Sequence, residues 1–348
     1  MHDILTVVGA RPQFVKAAMV SRALARVGVS ERLVHTGQHY DDELSAVFFR
    51  DLGLPEPEIN LDVGSASHAR QTGEIMMRLE KHLSSGARPD CVLVFGDTNS
   101  TIAAAVTARK LHLPVAHVEA GLRSFNSHMP EEINRIVTDR LSDFLFAPTP
   151  AAVRNLSAEG LSGRVHETGD VMREAAHFFA DLVDAAALDL PGEPFYLATV
   201  HRAENTEDTR RLAGILQGLG NIGHPVVFLA HPRTRPLLSA ASIPGNVLVR
   251  PPASYAVTLG LAGKARRVLT DSGGLQKEAV WLGTPCVTLR DETEWEETRE
   301  GGWNLLAGAD PQAIAAAVAA EPNGPPPDFG TVSDGPASEL IASILASA

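Results

Sequence analysis

Short apolar, β-branched runs alternate with longer helix-like stretches from one end of the chain to the other. The runs predict strands at residues 4–8, 32–36, 91–95, 115–118, 144–147 and 165–168. After a break they resume at 195–200, 226–229, 247–249, 268–270 and 286–289. Strands separated by helices of this length imply parallel sheets with right-handed crossovers. The break holds an alanine-rich helix, predicted over 175–187, and then Leu190-Pro-Gly-Glu-Pro194, a composition typical of a domain seam. A second proline-rich patch at 322–327 precedes an amphipathic stretch at 337–345. The expected fold class is α/β: two doubly wound domains facing each other across a cleft, 1–172 and 190–348, with the terminal helix packing back on the first.

The ends of these runs carry the candidate chemistry. The run 91–95 stops at Gly96-Asp97, and a small-residue helix, predicted over 100–111, follows at once. The run 115–118 stops at Glu119-Ala-Gly121, and Glu131 opens a helical stretch in Pro130-Glu-Glu-Ile-Asn-Arg135. Ligands of parallel α/β sheets bind at strand carboxyl ends, so acids placed there point to one crevice. Carboxylates at its mouth can move protons.

Phosphate chemistry has its own signals. The first run ends in Gly9-Ala-Arg-Pro12, with Lys16 one turn later. Proline suits the first position of a helix, whose amino end attracts anions, and Arg11 and Lys16 add two cations suited to a diphosphate. The competing reading is a capped surface turn with a solvated lysine. No GxGxxG follows this run, which removes the main support for a dinucleotide redox site. In the second half, 268–270 ends in Asp271-Ser-Gly-Gly274, with a helix predicted from Leu275. Ser272, Gly273 and Gly274 let backbone amides approach a phosphate, and Glu278, one turn in, could accept from ribose hydroxyls. The run 195–200 ends in His201-Arg-Ala-Glu-Asn205. A histidine there, flanked by Arg202, Glu204 and Asn205, suits proton transfer or charge relief on a leaving phosphate. His231, in Ala230-His-Pro-Arg-Thr234, is a weaker instance of the same kind.

Composition narrows the partners. A length of 348 residues makes two domains the natural expectation, and 44% apolar with 21% charged residues is ordinary for a soluble enzyme. Thirty basic against 42 acidic residues give a formal charge of −12, so no net positive field draws in nucleic acid or a membrane surface. A small phosphorylated ligand needs only local cations. Cys91 and Cys286 lie in apolar runs and read as buried reduced thiols of a cytoplasmic protein. The opening residues show no signal peptide, and no apolar run approaches a membrane span. His35, His39 and His117 lack metal-ligand spacing, and Asp41-Asp42 reads as a helix start, so no metal is expected.

Together these segments resemble the non-hydrolysing UDP-N-acetylglucosamine 2-epimerase family. The motifs are GARPQFVK at the start, TGQHYD from Thr36, GDTNST from Gly96, HVEAGLRS from His117 and PEEINR from Pro130. They continue with HRAEN from His201, HPRT from His231, DSGGLQKEA from Asp271 and the RDETEW region from Arg290. The resemblance implies two Rossmann-like domains in the B-type glycosyltransferase arrangement, no cofactor, and a homodimer. It implies Asp97, Glu119 and Glu131 as proton-transfer and intermediate-stabilising acids, and Arg11, Lys16, His201, Ser272, Gly273, Gly274 and Glu278 as holding the nucleotide diphosphate. His201 is also expected to take part in catalysis, and Arg135, Arg202 and His231 to contact the substrate or UDP. Many bacterial members carry a glutamine three positions after that of the Gln-His pair, which helps bind a second substrate molecule. Here Gln38-His39 is followed by Tyr40-Asp41, which predicts that this allosteric site is weak or absent. Trp295 stands where many members place arginine, a form that also resembles the branch acting on UDP-2,3-diacetamido-2,3-dideoxyglucuronic acid. The rival from another class is a glycosyltransferase using a UDP-sugar donor, which needs an acceptor surface and usually one base rather than three gathered acids.

Overall fold

A computed structural model describes residues 1–38, 49, 52–184, 188–192, 194–332 and 335–348. These divide into two compact units, Met1–Ala175 with Gly330–Ala348, and Ala176–Phe329. The first is built on a parallel sheet of β1 (Asp3–Val8), β2 (Ser30–His35), β3 (Ile59–Asn60), β4 (Cys91–Phe95), β5 (Val115–Val118), β6 (Phe144–Ala147) and β7 (Val165–Glu167). Their order across the sheet is β3-β2-β1-β4-β5-β6-β7. The second unit has β8 (Tyr196–Val200), β9 (Val226–Ala230), β10 (Val247–Arg250), β11 (Arg267–Thr270), β12 (Cys286–Thr288) and β13 (Asn304–Leu306), in the order β10-β9-β8-β11-β12-β13.

The apolar runs become strands because helices cover both faces of each sheet. In the first unit Leu5, Val7, Val92, Val94 and Val115 pack with Ile75 and Leu79 of the helix His68–Ser85 and with the alanines of the helix Asn99–Lys110. Burying one such aliphatic side chain contributes about 1.5–3 kcal/mol. In the second unit Ala198, Val200, Phe228 and Leu269 pack with Ile215 and Leu219 of the helix Thr209–Gly220. The terminal helix Ala337–Ser347 belongs to the first unit, where the backbone and hydroxyl of Ser338 donate to Glu174 at 3.0 and 2.7 Å.

Departures from expectation have local causes. β3 and β13 went unpredicted because runs of two and three residues are too short to show a period. The helix expected over 175–187 runs over Val171–Asp181 instead, starting early because Asp170 caps the Met172 amide at 2.8 Å. Residues 185–187 lie outside the described residues, as do His39, Tyr40, Asp41 and Asp42, which carried the allosteric-site and helix-start expectations. No helix among the described residues is long and apolar enough to cross a membrane.

Candidate active site

Each sheet reverses its order at one place. The first grows outward from β1 to β3 and restarts at β4, beside β1; the second grows from β8 to β10 and restarts at β11, beside β8. Such a switch point opens a crevice at the carboxyl ends of the two strands. The loops leaving β1 and β4 carry Arg11 and Asp97, and those leaving β8 and β11 carry His201 and Ser272.

In the first unit these loops are tied by buried polar side chains. Gln13 accepts from the Gly9 and Ala10 amides at 2.8 and 3.0 Å and donates to the Phe95 carbonyl at 2.8 Å, joining the β1 and β4 loops. His117, buried on β5, donates from Nε2 to the Gly96 carbonyl at 2.8 Å, while its Nδ1 lies 2.7 Å from Asp139. Asp139 is fully buried and also holds the Gly121 amide at 3.1 Å and Arg123 at 2.8 Å. Burial pushes its pKa up. The hydrogen bond and charge of His117, and then Arg123, overcome that and hold the carboxyl below its usual range.

This frame presents the acids. Glu119 leaves β5 with φ at 74°, a strained conformation for a residue with a side chain. Its carboxylate pairs with Lys16, and both side chains are largely buried. Gly96, at φ +62°, leaves room for that pair: a Cβ there would come 3.1 Å from Glu119 Oε2. Asp97 follows, with Arg135 at 3.3 Å from its carboxylate and Asn134 donating to its carbonyl at 2.8 Å. Burial first, and then the negative charge of Glu119, raise the pKa of Asp97, against the pull of Arg135 and Lys16; Glu131 adds to the rise. Glu131 itself is exposed in the first turn of the helix Pro130–Leu141. The neighbouring Glu132 is buried and accepts from the Ser124 and Phe125 amides at 2.9 Å each, which fixes the preceding loop. A carboxyl whose pKa is raised, beside a second carboxyl paired with a lysine, is an arrangement suited to acid–base work.

The second unit presents donors. Asp271, fully buried at the end of β11, accepts from the backbone amides of His201 and Arg202 at 3.0 and 2.9 Å and from Asn205 Nδ2 at 3.0 Å. Burial chiefly, with Arg202 and Arg233, holds His201 below its ordinary pKa despite Asp271. The His201 and His231 rings lie 5.3 Å apart. Ser272 accepts from the Leu275 amide at 3.3 Å and caps the helix Gly273–Trp281, which therefore starts two residues before the expected Leu275. A Cβ on Gly273 would fall 2.5 Å from Glu294 Oε1 and 3.4 Å from Trp295 Nε1. Glu294 is paired with Arg290 at 2.7 Å and Arg202 at 3.8 Å. Burial works to raise its pKa, but its own backbone amide and then these arginines keep the carboxyl below its usual range. Glu278 is buried and accepts from the Tyr255 hydroxyl at 2.7 Å.

The structure thus brings Lys16, Asp97, Glu119, Glu131 and Arg135 together in the first unit. It gathers His201, Arg202, His231, Ser272, Gly273 and Gly274 around the strand ends of the second, with Glu278 deeper on its helix. Lys16, read as a diphosphate partner, is buried against Glu119, and Arg11 is exposed at the first position of its helix. Gln13, Asp139, Arg290 and Glu294 were not among the expected site residues, although Arg290 directly follows the run 286–289; only tertiary packing reveals their partners. Among the described residues no group of three His, Cys, Asp or Glu could hold a metal ion. Cys91 and Cys286 are free and buried, and desolvation pushes both thiols up to about 12.

Two Rossmann-like units of this topology make up the α/β architecture of the B-type glycosyltransferase fold. A Streptomyces glycosyltransferase complexed with thymidine diphosphate shares it at a TM-score of 0.54 and 15% identity over 100% of both chains, a likeness of fold alone. The family follows from closer matches. Residues 22–346 match the UDP-N-acetylglucosamine 2-epimerase family model, and the chain belongs to that family of isomerases. It is 48% identical over 313 residues (88% of each chain) to the UDP-2,3-diacetamido-2,3-dideoxy-D-glucuronate 2-epimerase of Pseudomonas aeruginosa. It is 40% identical over 336 residues (91% of each) to a UDP-N-acetylglucosamine 2-epimerase of Methanococcus maripaludis. The crystal structure of the Methanocaldococcus jannaschii UDP-GlcNAc 2-epimerase with UDP-GlcNAc and UDP superposes at a TM-score of 0.86 with 37% identity, covering 99% of this chain and 100% of that one.

Proposed function

We propose that the chain inverts carbon 2 of a UDP-2-acetamido sugar without hydrolysing it, converting UDP-N-acetylglucosamine to UDP-N-acetylmannosamine. The observation that carries this reading is the gathering in the first unit of Asp97, whose pKa burial and then Glu119 raise, with Glu119, which Lys16 holds, and Arg135. The hydrogen on carbon 2 is barely acidic, so direct abstraction at neutral pH is too slow. If the bond between the anomeric carbon and UDP breaks first, the ring becomes oxocarbenium-like and that hydrogen leaves as a proton. Glu119 takes it, leaving UDP and a 2-acetamidoglucal. Asp97 returns a proton to the opposite face, and UDP adds back to the anomeric carbon. Glu131 supports the charge on the ring.

In this reading the second unit holds the nucleotide. The amino end of the helix Gly273–Trp281, with Arg202 and His201, takes the departing diphosphate, and Glu278 takes the ribose. No nicotinamide is required. Proton NMR with UDP-N-acetylglucosamine in heavy water is the test. An epimer carrying deuterium at carbon 2, formed without any acceptor, is expected. Recovered sugar free of deuterium would end the proposal, and a product needing an acceptor would favour the transferase.

A second sugar has a specific observation behind it. The 48% identity to the Pseudomonas aeruginosa enzyme, together with Trp295, favours UDP-2,3-diacetamido-2,3-dideoxyglucuronate. Parallel assays on the two sugars decide between them by kcat/KM. A cytoplasmic homodimer is the setting that the family resemblance supports, and light scattering at the monomer mass would exclude the dimer.

A further inference from the structure

We propose that Lys277 and Trp295 form a positioning pair for the diphosphate end of the second unit, the lysine supplying from the helix the cation that many family members carry at position 295. This role rests on the reading of the helix Gly273–Trp281 as the diphosphate holder. Lys277 is buried, and its Nζ stands 3.8 Å from the centre of the Trp295 ring and 4.9 Å from that of Trp281. An ammonium this close to an indole face is attracted by the ring's quadrupole, most strongly where water is excluded.

Gly273 and Lys277 are four residues apart and share one face of the helix. The Trp295 indole lies along that face, its Nε1 3.4 Å from where a Gly273 Cβ would stand. It therefore spans the first turn, from the amino end to the buried ammonium. The chain around it is tied down. The Thr293 hydroxyl donates to Gln276 at 2.7 Å, the Trp295 amide donates to Thr293 at 3.2 Å, and the Thr298 hydroxyl donates to the Trp295 carbonyl at 2.6 Å. Glu294, the residue before Trp295, pairs with Arg290 at 2.7 Å and stands 3.8 Å from Arg202. Seating the indole on the lysine thus fixes where Glu294, and with it Arg202, stands at the amino end of the helix. An arginine at 295 would instead meet the ammonium of Lys277 at like charge with little water between them. In this chain the two positions depend on each other.

The test compares Trp295→Phe, Trp295→Leu, Trp295→Arg and the double variant Trp295→Arg/Lys277→Met. Calorimetry gives the Kd of UDP, and ligand-observed NMR that of uridine, which lacks the diphosphate. Phenylalanine keeps an aromatic face and should hold UDP within about threefold of the unsubstituted chain, whereas leucine should weaken it about five- to tenfold. Arginine should weaken it about tenfold or more, and removing the lysine as well should return it to within about threefold. Uridine should stay within about twofold throughout, which separates a displaced diphosphate site from a damaged helix. Leucine binding UDP as tightly as phenylalanine, or arginine as tightly as tryptophan, overturns the pair, and so does uridine weakening in step with UDP. Should the arginine variant fail to fold, the leucine and phenylalanine comparison decides. An unsubstituted chain that binds no UDP would end the nucleotide reading of the second unit and this role with it; one that binds UDP but ignores the substitutions sinks the pair alone.

Discussion

The two units solve opposite electrostatic problems at the same place in the same topology. At the β1/β4 switch point cations and carboxylates lie together: Lys16 is buried against Glu119, Arg135 lies 3.3 Å from Asp97, and burial followed by the charge of Glu119 raises the pKa of Asp97. At the β8/β11 switch point the buried charge is the carboxylate of Asp271, spent on the backbone amides of the loop, while His201 and Arg202 stand farther out. In the proposed reading the first end exchanges protons and the second receives an anion, and a parallel sheet supplies the crevice in both cases.

The largest test of this contrast is Asp97→Asn. Loss of a positioned general acid is expected to lower epimerisation about 10²–10⁴-fold. The same change should raise the melting temperature at neutral pH. Asp97 has a raised pKa in the fold, so the folded chain binds that proton more tightly than the unfolded one does. Its ionisation therefore subtracts from stability as pH climbs from the unfolded pKa through the folded one, and the asparagine variant escapes that loss. An inactive variant that is also less stable at neutral pH would show that Asp97 is a structural residue.

Asp139→Ala attacks the frame instead. It removes the buried acceptor of His117, Arg123 and the Gly121 amide; Arg123 keeps Glu159 at 2.7 and 2.8 Å, so the cost is that of buried hydrogen-bonding groups left without a partner, about 1–3 kcal/mol. Denaturant unfolding measures it. A loss below 1 kcal/mol, within the ordinary range for an exposed pair, would mean that Asp139 does not hold the β5 and β4 loops.

Much of this was legible in the chain because strand ends are. The runs at 91–95 and 115–118 end where β4 and β5 end, and so they delivered Asp97 and Glu119. The β8 and β11 ends delivered His201 and Ser272 in the same way. What could not be read is which charges meet. Lys16 and Glu119 are 103 residues apart, and nothing in the Lys16 neighbourhood distinguishes a solvated lysine from one buried against a carboxylate. Asp139 lies deep in a helix where an acid usually signifies a wet face, yet it is fully buried. Within PEEINR, pattern alone could not separate Glu131, which stays exposed, from Glu132, which is consumed by loop amides.

His201 gives a smaller, pH-dependent effect in the second unit. Burial holds the free imidazole below its ordinary pKa, and a bound diphosphate would raise it. UDP binding should then take up a proton, so affinity rises as pH falls through the pKa of the complex and levels off below that of the free chain. One proton limits the slope to about tenfold per pH unit. Calorimetry in buffers of different ionisation enthalpy measures the uptake, and His201→Gln should abolish that share while leaving the titration of UDP itself. Equal uptake in both proteins would remove His201 from the diphosphate site.

Glu294 offers the finest test of the contrast, because it is the acid that does not fit it. Its carboxylate lies where a Cβ of Gly273 would point, beside the amino end of the helix, and it holds Arg290 and Arg202. An arriving diphosphate must therefore share those arginines with a resident anion of like charge. Glu294→Gln keeps the shape, removes the competing charge, and should tighten UDP about two- to fivefold, the worth of one partly exposed ion pair. The gain should shrink as salt rises, because screening weakens the repulsion that the substitution relieves. Weaker binding at all salt concentrations would mean that Glu294 orients Arg202 and Arg290 for the phosphate.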